Sequence, residues 1–426
     1  MNKVFSKIIQ IFSIPDLRKK ILVVLALLVI FRIFAAVPVP GVDLERLKSI
    51  FSSNQLLGIL NIFSGGTLDH LSIVMLGVGP YITATIIMQL LTMVFPRMKE
   101  IYYEEGEAGR QKFNQYSRLL SVPLAALQGY SFLNLLISQK VINPLSPLAL
   151  IRNAILVTAG TMFLMWIGEL ISEYKIGNGI SLIIFAGIIS RIPAGVRSAA
   201  ISYNPSVLPG YLVFLAVAAI IIAGVVIINE AERKVPVSYA KRVRGMKMYG
   251  GVSSYLPLRV NQAGVIPIIF AISIMLFPQF LGQILAAFKT PLALNISNFM
   301  LQLFNNQVLY SVLYFLLVII FTYFYTMVTF DPKEISLNLQ RNGGFVPGIR
   351  PGQPTSQFLK QVLNRITFIG ALALGLIAVL PSMMRGITGS AFLTIGGTAL
   401  LIVVSVALET MKQVESQLVM REYEGF

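Results

Sequence analysis

The segment LLGILNIFSGGTLDHLSIVMLGVGPYITATIIMQLLTMVF (residues 56–95) decides how the rest of the chain is read. It opens on a short apolar piece, residues 56–63, passes through SGGTLDH, and continues as a long apolar run over residues 71–95. The long run can cross a bilayer, which takes ~20 apolar residues. The short piece cannot, because a helix of that length reaches only ~12 Å. Joined to a full span through Gly65 and Gly66, it can fold back into the membrane. Backbone that enters a membrane without spanning it survives only inside protein or against a water-filled cavity. The pair therefore points to a pore with something in it. An amphipathic helix lying on the surface satisfies the same composition.

Composition sets the class. Of 426 residues, 56% are hydrophobic and 12% charged, with a mean hydropathy of +0.77. Soluble domains carry about 25% charged residues, so this is an integral membrane protein. Lys3, Lys7, Arg18, Lys19 and Lys20 precede an apolar run, like the basic end of a signal peptide. No small-residue cleavage site follows, and residues 21–37 read as a retained first span. The chain has no cysteine, which excludes disulfides and thiolate chemistry. With one histidine, little remains for a transition metal. No cofactor, metal or catalytic residue is expected.

Ten apolar runs occur in order: 21–37, 71–95, 115–137, 151–171, 180–192, 208–229, 262–286, 308–330, 366–384 and 392–408. The fifth is short unless its helix begins near Lys175 or continues past Arg191 and Pro193. Lys and Arg in loops mark the cytoplasmic side. With the N-terminus inside, the inside segments hold 25 of them and the outside segments 8. Both termini are therefore expected in the cytoplasm.

Ten spans divide into two oppositely oriented sets of five, residues 1–203 and 204–426. The second span of each set carries a matching interruption, Gly77-Val78-Gly79-Pro80 and Gly264-Val265-Ile266-Pro267. Such pairs point to an inverted repeat with a pathway at its interface, although Gly and Pro are tolerated in membrane helices generally. Only Arg32 lies well inside a span, with Glu169 and Arg191 near ends; ion-coupled transport usually needs more intramembrane charge. Protease pairs, HExxH and a Walker phosphate loop are all missing from the sequence. Energy for transport must then come from a partner. His70 reads as a solvated loop residue.

Two long basic loops stand out, residues 230–261 and 331–365. The first carries Arg233, Lys234, Lys241, Arg242, Arg244, Lys247 and Arg259. The second carries FVPGIRPG (residues 345–352), a Pro/Gly turn that holds Arg350 at a stiffened tip. Basic loops bind anionic lipids and also RNA backbone, and charge alone does not separate the two.

Several stretches resemble the SecY family of protein-translocation channels. They are IFSGG (62–66), LGVGPYITATIIMQLL (76–91), GTMFLMWIGE (160–169), KIGNGIS (175–181), LPLRVNQAGVIPIIF (256–270), FVPGIRPG and IGGTALLIVV (395–404). The resemblance runs from the first span to the last. It implies an all-α fold of ten transmembrane helices in two inverted five-helix halves, with an hourglass pore, a re-entrant plug and a lateral gate toward lipid.

Residue roles are implied by the same resemblance. The pore ring would be Val78, Ile82, Ile180, Ile184, Ile269 and Ile402. A ring of branched apolar side chains dewets, resisting ions while packing around a threaded chain. The plug would be residues 56–70, with Leu56, Leu57, Ile59, Leu60, Ile62, Phe63, Gly65 and Gly66. The lateral gate would involve Thr83, Gln89 and Asn261, the last two able to share a hydrogen bond. Arg242, Arg244, Lys247 and Arg350 would lie on loops that meet the motor ATPase SecA or the ribosome. SecE and SecG subunits, signal peptides, nascent chains and anionic lipids are the other implied partners, in a bacterial cytoplasmic membrane. The implied activity is passage of unfolded polypeptides outward and release of apolar segments sideways into lipid, without catalysis. The alternative reading is an inverted-repeat secondary transporter of a small solute.

Overall fold

In the computed structural model, the apolar run at residues 71–95 is not one helix. Residues 71–78 form tight turns, and the helix spans only Gly79–Val94 (α2). Gly77 sits at φ +58, a left-handed setting that costs residues with a Cβ about 1–2 kcal/mol. Pro80 comes next in the first helical turn, where its missing N–H is no loss. The structure describes residues 11–40, 64, 67–103, 105–138, 142, 145–201, 208–239, 242–244, 247–249, 253–287, 290–388 and 391–424.

Among the described residues the helices in chain order are α1 (Pro15–Ala35), α2, α3 (Pro96–Tyr103), α4 (Gly106–Ser138), α5 (Pro147–Glu173), α6 (Gly179–Ile189) and α7 (Ile192–Ile201). Then come α8 (Leu208–Glu230), α9 (Ile266–Ala287), α10 (Pro291–Asn305), α11 (Gln307–Thr329), α12 (Pro332–Arg341), α13 (Gln353–Thr388) and α14 (Ala391–Glu424). A helix lies in each of the ten apolar runs. Five described helices are long and apolar enough to cross a membrane singly. A sixth candidate is α2 with α3, bent by 115° where Phe95 turns extended before Pro96.

The fifth run is also broken. It begins at Gly179, not near Lys175, with Asn178 Oδ1 accepting from the Ser181 N–H at 3.1 Å. It stops at Ser190 and resumes as α7 beyond Arg191, so the chain does continue past Pro193. The turn before it is tight: Lys175 has φ +56, and the Gly179 N–H donates to Ser172 Oγ at 2.9 Å. A Cβ on Gly179 would collide with the Gly168 carbonyl of α5. That glycine lets α6 start directly against α5 beside Glu169.

Two sets of helices pack internally. In the first, α4 lies against α2, α3 and α5, and α1 touches α5 and α6. In the second, α13 lies against α11, α12 and α14, while α8 lies against α14 and α9 against α11. The sets meet where α9 touches α2 and α4, and where α14 touches α6. One buried apolar cluster runs through both. On the outside, Leu22, Leu25, Val29 and Ile33 form an exposed stripe on α1, and Leu212, Leu215, Ile220 and Ile227 are exposed on α8. Such surface suits lipid and not water.

The two long polar loops are joined. β1 (Glu232–Tyr239) pairs antiparallel with β4 (Ser253–Arg259) and also with β5 (Gly344–Phe345) of the second loop. A short hairpin, β2 (Arg242–Arg244) with β3 (Lys247–Tyr249), sets Arg244 opposite Lys247. A second small core, built from Val235, Leu258, Val346, Leu359, Val362 and Ile366, fixes this sheet to the first part of α13.

Candidate functional site

A cavity of about 660 Å³ opens where the two helix sets meet. Its walls come from α2, α4, α5, α6, α9 and α11. The lining is divided. Gln89, Gln111, Asn114, Gln115, Ser172 and Asn178 make one part polar and mostly uncharged, while Ile82, Ile180, Ile269 and Phe270 make another part apolar. Three of the six aliphatic side chains singled out in the sequence therefore lie on this cavity. The other three, Val78, Ile184 and Ile402, are fully buried in the same apolar cluster.

Local sequence explains these placements. Val78 caps α2, and Ile82 lies on its first turn. Ile180 and Ile184 sit one turn apart on α6, which begins at Gly179. Ile269 lies on the first turn of α9, just beyond Gly264 at φ +62. Ile402 belongs to α14, a helix that touches α6.

The cavity wall carries an ion pair that the sequence reading did not find. Arg118 Nε of α4 donates to Glu169 Oε1 of α5 at 2.7 Å, and the Tyr81 hydroxyl of α2 donates to the same oxygen at 3.5 Å. The available signal was Glu169 itself, an acid closing an apolar run. Its partner lies 51 positions away and could not be read locally.

At the seam between α2 and α9, one expectation is corrected. Gln89 and Asn261 do not hydrogen-bond each other. The Asn261 Nδ2 group donates to Asn229 Oδ1 at 2.7 Å and to the Gly264 carbonyl at 3.0 Å. Asn229 donates in turn to Ser405 Oγ at 3.4 Å, and Lys412 Nζ donates to the Asn229 carbonyl at 3.1 Å. Gln89 Oε1 and Asn261 Oδ1 are both buried with no hydrogen-bond partner among the described residues. The competing carboxamide, Asn229, lies on α8 and reaches Asn261 first. Thr83, the third residue expected at the gate, is buried and returns its hydroxyl to the Gly79 carbonyl at 3.0 Å.

The expected plug residues Leu56, Leu57, Ile59, Leu60, Ile62, Phe63, Gly65 and Gly66 lie outside the described residues. The chain just beyond them is buried. Thr67 Oγ1 lies 2.9 Å from the Ser64 carbonyl and 3.1 Å from that of Val74, while Leu68 and Leu71 are buried beside it. His70 closes a short 3-10 turn and is not in irregular loop. Arg350 is exposed on a turn with Gly348 at φ +81 and Gly352 at φ +95. Thr355 donates to the Arg350 carbonyl at 2.8 Å, and Ser336 donates to that of Gly352 at 2.6 Å. The tip is thus held by hydrogen bonds as well as by its prolines. Arg242, Arg244 and Lys247 fall on the β2–β3 hairpin.

A cavity lined partly by polar and partly by aliphatic side chains, where two sets of apolar helices meet, is the build of a membrane channel. The relationship to known proteins is specific. A family model described as SecY matches residues 72–411. Relatives named protein translocase subunit SecY are 44% identical in Corynebacterium glutamicum, covering 99% of this chain and 99% of the relative. In Thermus thermophilus identity is 43%, covering 100% and 98%, and in Streptomyces galbus it is 43%, covering 97% and 98%. The chain belongs to the SecY family. Among solved structures, one described as "The structure of a protein conducting channel" has the same fold, with TM-score 0.66, 20% identity, and coverage of 92% of this chain and 90% of that one. A Sec61 channel from canine endoplasmic reticulum matches with TM-score 0.59 and 19% identity over 92% and 90%.

Proposed function

We propose that this multi-pass membrane protein is the pore subunit of a protein translocase, a channel and not an enzyme. It passes unfolded polypeptides through the aliphatic constriction and releases apolar segments through the α2–α9 seam. The observation that carries this reading is the divided cavity, whose polar wall accepts a chain of any sequence and whose apolar part includes Ile82, Ile180 and Ile269. A dry aliphatic constriction resists ions yet packs around a passing chain. A small-solute transporter would need a site that holds one substrate; on this wall Arg118 and Glu169 pair with each other, and most of the other polar groups are uncharged.

The finer assignments rest on membership of the SecY family. The constriction comprises Val78, Ile82, Ile180, Ile184, Ile269 and Ile402, and residues 56–70 form the plug. The chain sits in a bacterial cytoplasmic membrane with both termini inside, as the Lys and Arg distribution suggests. It works with SecE and SecG, and Arg350 and the β2–β3 hairpin meet SecA or the ribosome. A solved relative of this fold is described within a ribosome–channel complex.

The test is direct. The protein has no cysteine of its own. Single cysteines at positions 82 and 269 should crosslink to a polypeptide arrested midway through transport, and one at exposed Leu215 should not. Equal crosslinking at all three would refute the central path. Arg350→Glu should reduce partner-driven transport at least tenfold while leaving the thermal midpoint unchanged, because an exposed loop charge contributes only about 0–1 kcal/mol to stability. Parental transport rates at equal protein levels would remove Arg350 from the partner surface.

A further inference from the structure

The helix between the two spans α9 and α11 has three distinct faces. α10 begins after Thr290, whose side chain accepts from the Ala293 N–H at 3.4 Å, with Pro291 in its first turn. Ala293 and Ser297, one turn apart, are buried, and these small residues let α10 lie close along α9 while it also touches α11. Leu292, Ile296 and Phe299 form a second face, spaced as one helical stripe, and are 77%, 47% and 64% exposed. Asn295 and Asn298 are exposed on a third. Residues 290–305 hold no Asp, Glu, Lys or Arg.

A helix of 15 residues is about 22 Å long and too short to cross a bilayer. Yet its exposed stripe is as apolar as the surface of a span. α11 starts directly after it, with Asn306 Oδ1 accepting from the Val308 and Leu309 N–H groups at the corner. There Val308, Val312, Leu316 and Ile320 make an exposed apolar column on a helix long and apolar enough to cross the membrane. The exposed apolar column of α11 thus begins directly after the helix that carries the exposed stripe of α10.

We propose that α10 is an interfacial helix that docks on the lipid bilayer. Leu292, Ile296 and Phe299 enter the acyl region, and Asn295 and Asn298 remain among the headgroups. With no charge on the helix, docking depends on buried apolar area and not on anionic lipid. In the orientation proposed above, the contacted surface is the outer leaflet. Because α10 packs along α9, it ties one end of a seam helix to the membrane surface. The inference rests on α11 being a span and is independent of the roles assigned to the constriction and the plug.

The experiment uses the intact translocase complex in nanodiscs, with single cysteines at positions 299, 296, 298 and 308 carrying an environment-sensitive nitrobenzoxadiazole label. Lipids bearing a shallow doxyl quencher should quench labels at 299 and 296 several-fold more than at 298. Aqueous iodide should show the reverse order. Zwitterionic discs and discs containing anionic lipid should give the same result. Iodide quenching at 299 equal to that at 298 would overturn the proposal. So would shielding of 299 and 296 from both quenchers, which would mean that protein covers the stripe, or lipid quenching confined to anionic discs. The label at 308 keeps the two readings apart. If 308 is not reached by lipid quencher, the span assignment of α11 has failed; if 308 is reached and 299 is not, only the interfacial helix has failed.

Discussion

α2 and α9 begin in the same way. Each comes after a glycine of positive φ, Gly77 at +58 and Gly264 at +62. Each helix starts two residues after that glycine, with a proline one position later, Pro80 and Pro267. Each then places an isoleucine two positions past the proline, Ile82 and Ile269, on the central cavity. The chain leading into the two breaks differs. The α2 break rests on buried turns, with Thr67 bridging to Val74 and the Val39 N–H donating to the Leu71 carbonyl at 2.8 Å. The α9 break hangs from β4 through Asn261, whose amide is bonded to Asn229 and to the Gly264 carbonyl. One local signal therefore aims a side chain at the cavity from two directions. Burial holds it in one case and polar bonds in the other.

The largest effect should come from the two isoleucines the breaks place alike. Replacing Ile82 and Ile269 together by leucine keeps the surface apolar, and transport should stay within about twofold of the parent. Replacing both by asparagine should wet the constriction and raise resting ion conductance in planar bilayers at least tenfold. An asparagine pair that conducts no more than the leucine pair would show that these positions, for all their matched geometry, do not seal the channel.

A smaller effect should separate the breaks themselves. Alanine at Gly264 faces only Glu409 Oε2, at 3.5 Å from the added Cβ, so its cost is backbone strain of about 1–2 kcal/mol. Gly77 is buried between Leu76 and Val78. Alanine there carries the same strain and also crowds a packed turn, for a further 1–3 kcal/mol or so. Gly77→Ala should lower the thermal midpoint more than Gly264→Ala. Equal midpoints would mean that the two breaks are held by the same means.

Much of this was legible in the chain. Composition gave the membrane class, apolar runs located the helices, and the paired Gly and Pro positions marked both breaks, since each is a local signal. Residues 71–78 do not stand apart from the helix that follows them, because an apolar run looks the same whether it forms a helix or buried turns. The joining of the two polar loops was invisible for another reason. β5 is only two residues long, and its register, Ser238 against Phe345, spans more than a hundred positions with no periodicity to betray it. The family resemblance points to Asn261 as a polar residue near the gate, but sequence offers no means of choosing between Gln89 and Asn229 as its partner.

That choice separates two residues which a shared gate bond would make equivalent. If Gln89 and Asn261 were partners, replacing either by leucine would loosen the seam by the same amount. In the observed network they differ. Asn261→Leu removes two hydrogen bonds and leaves Asn229 Oδ1 without its donor, which should free the start of α9. Bonds of this kind inside membranes are worth roughly 1 kcal/mol, enough to shift an open-to-closed ratio about fivefold. Gln89 Oε1 is already buried without a partner, so Gln89→Leu removes an unsatisfied group and should be neutral or slightly stabilising for the closed seam. A secreted reporter with a shortened apolar signal segment reads the balance. Asn261→Leu should export it several-fold better than the parent, and Gln89→Leu no better. Similar gains from both variants would show that the two side chains do bond in the working channel, and that the Asn229 contact gives way to that bond when the translocase is assembled.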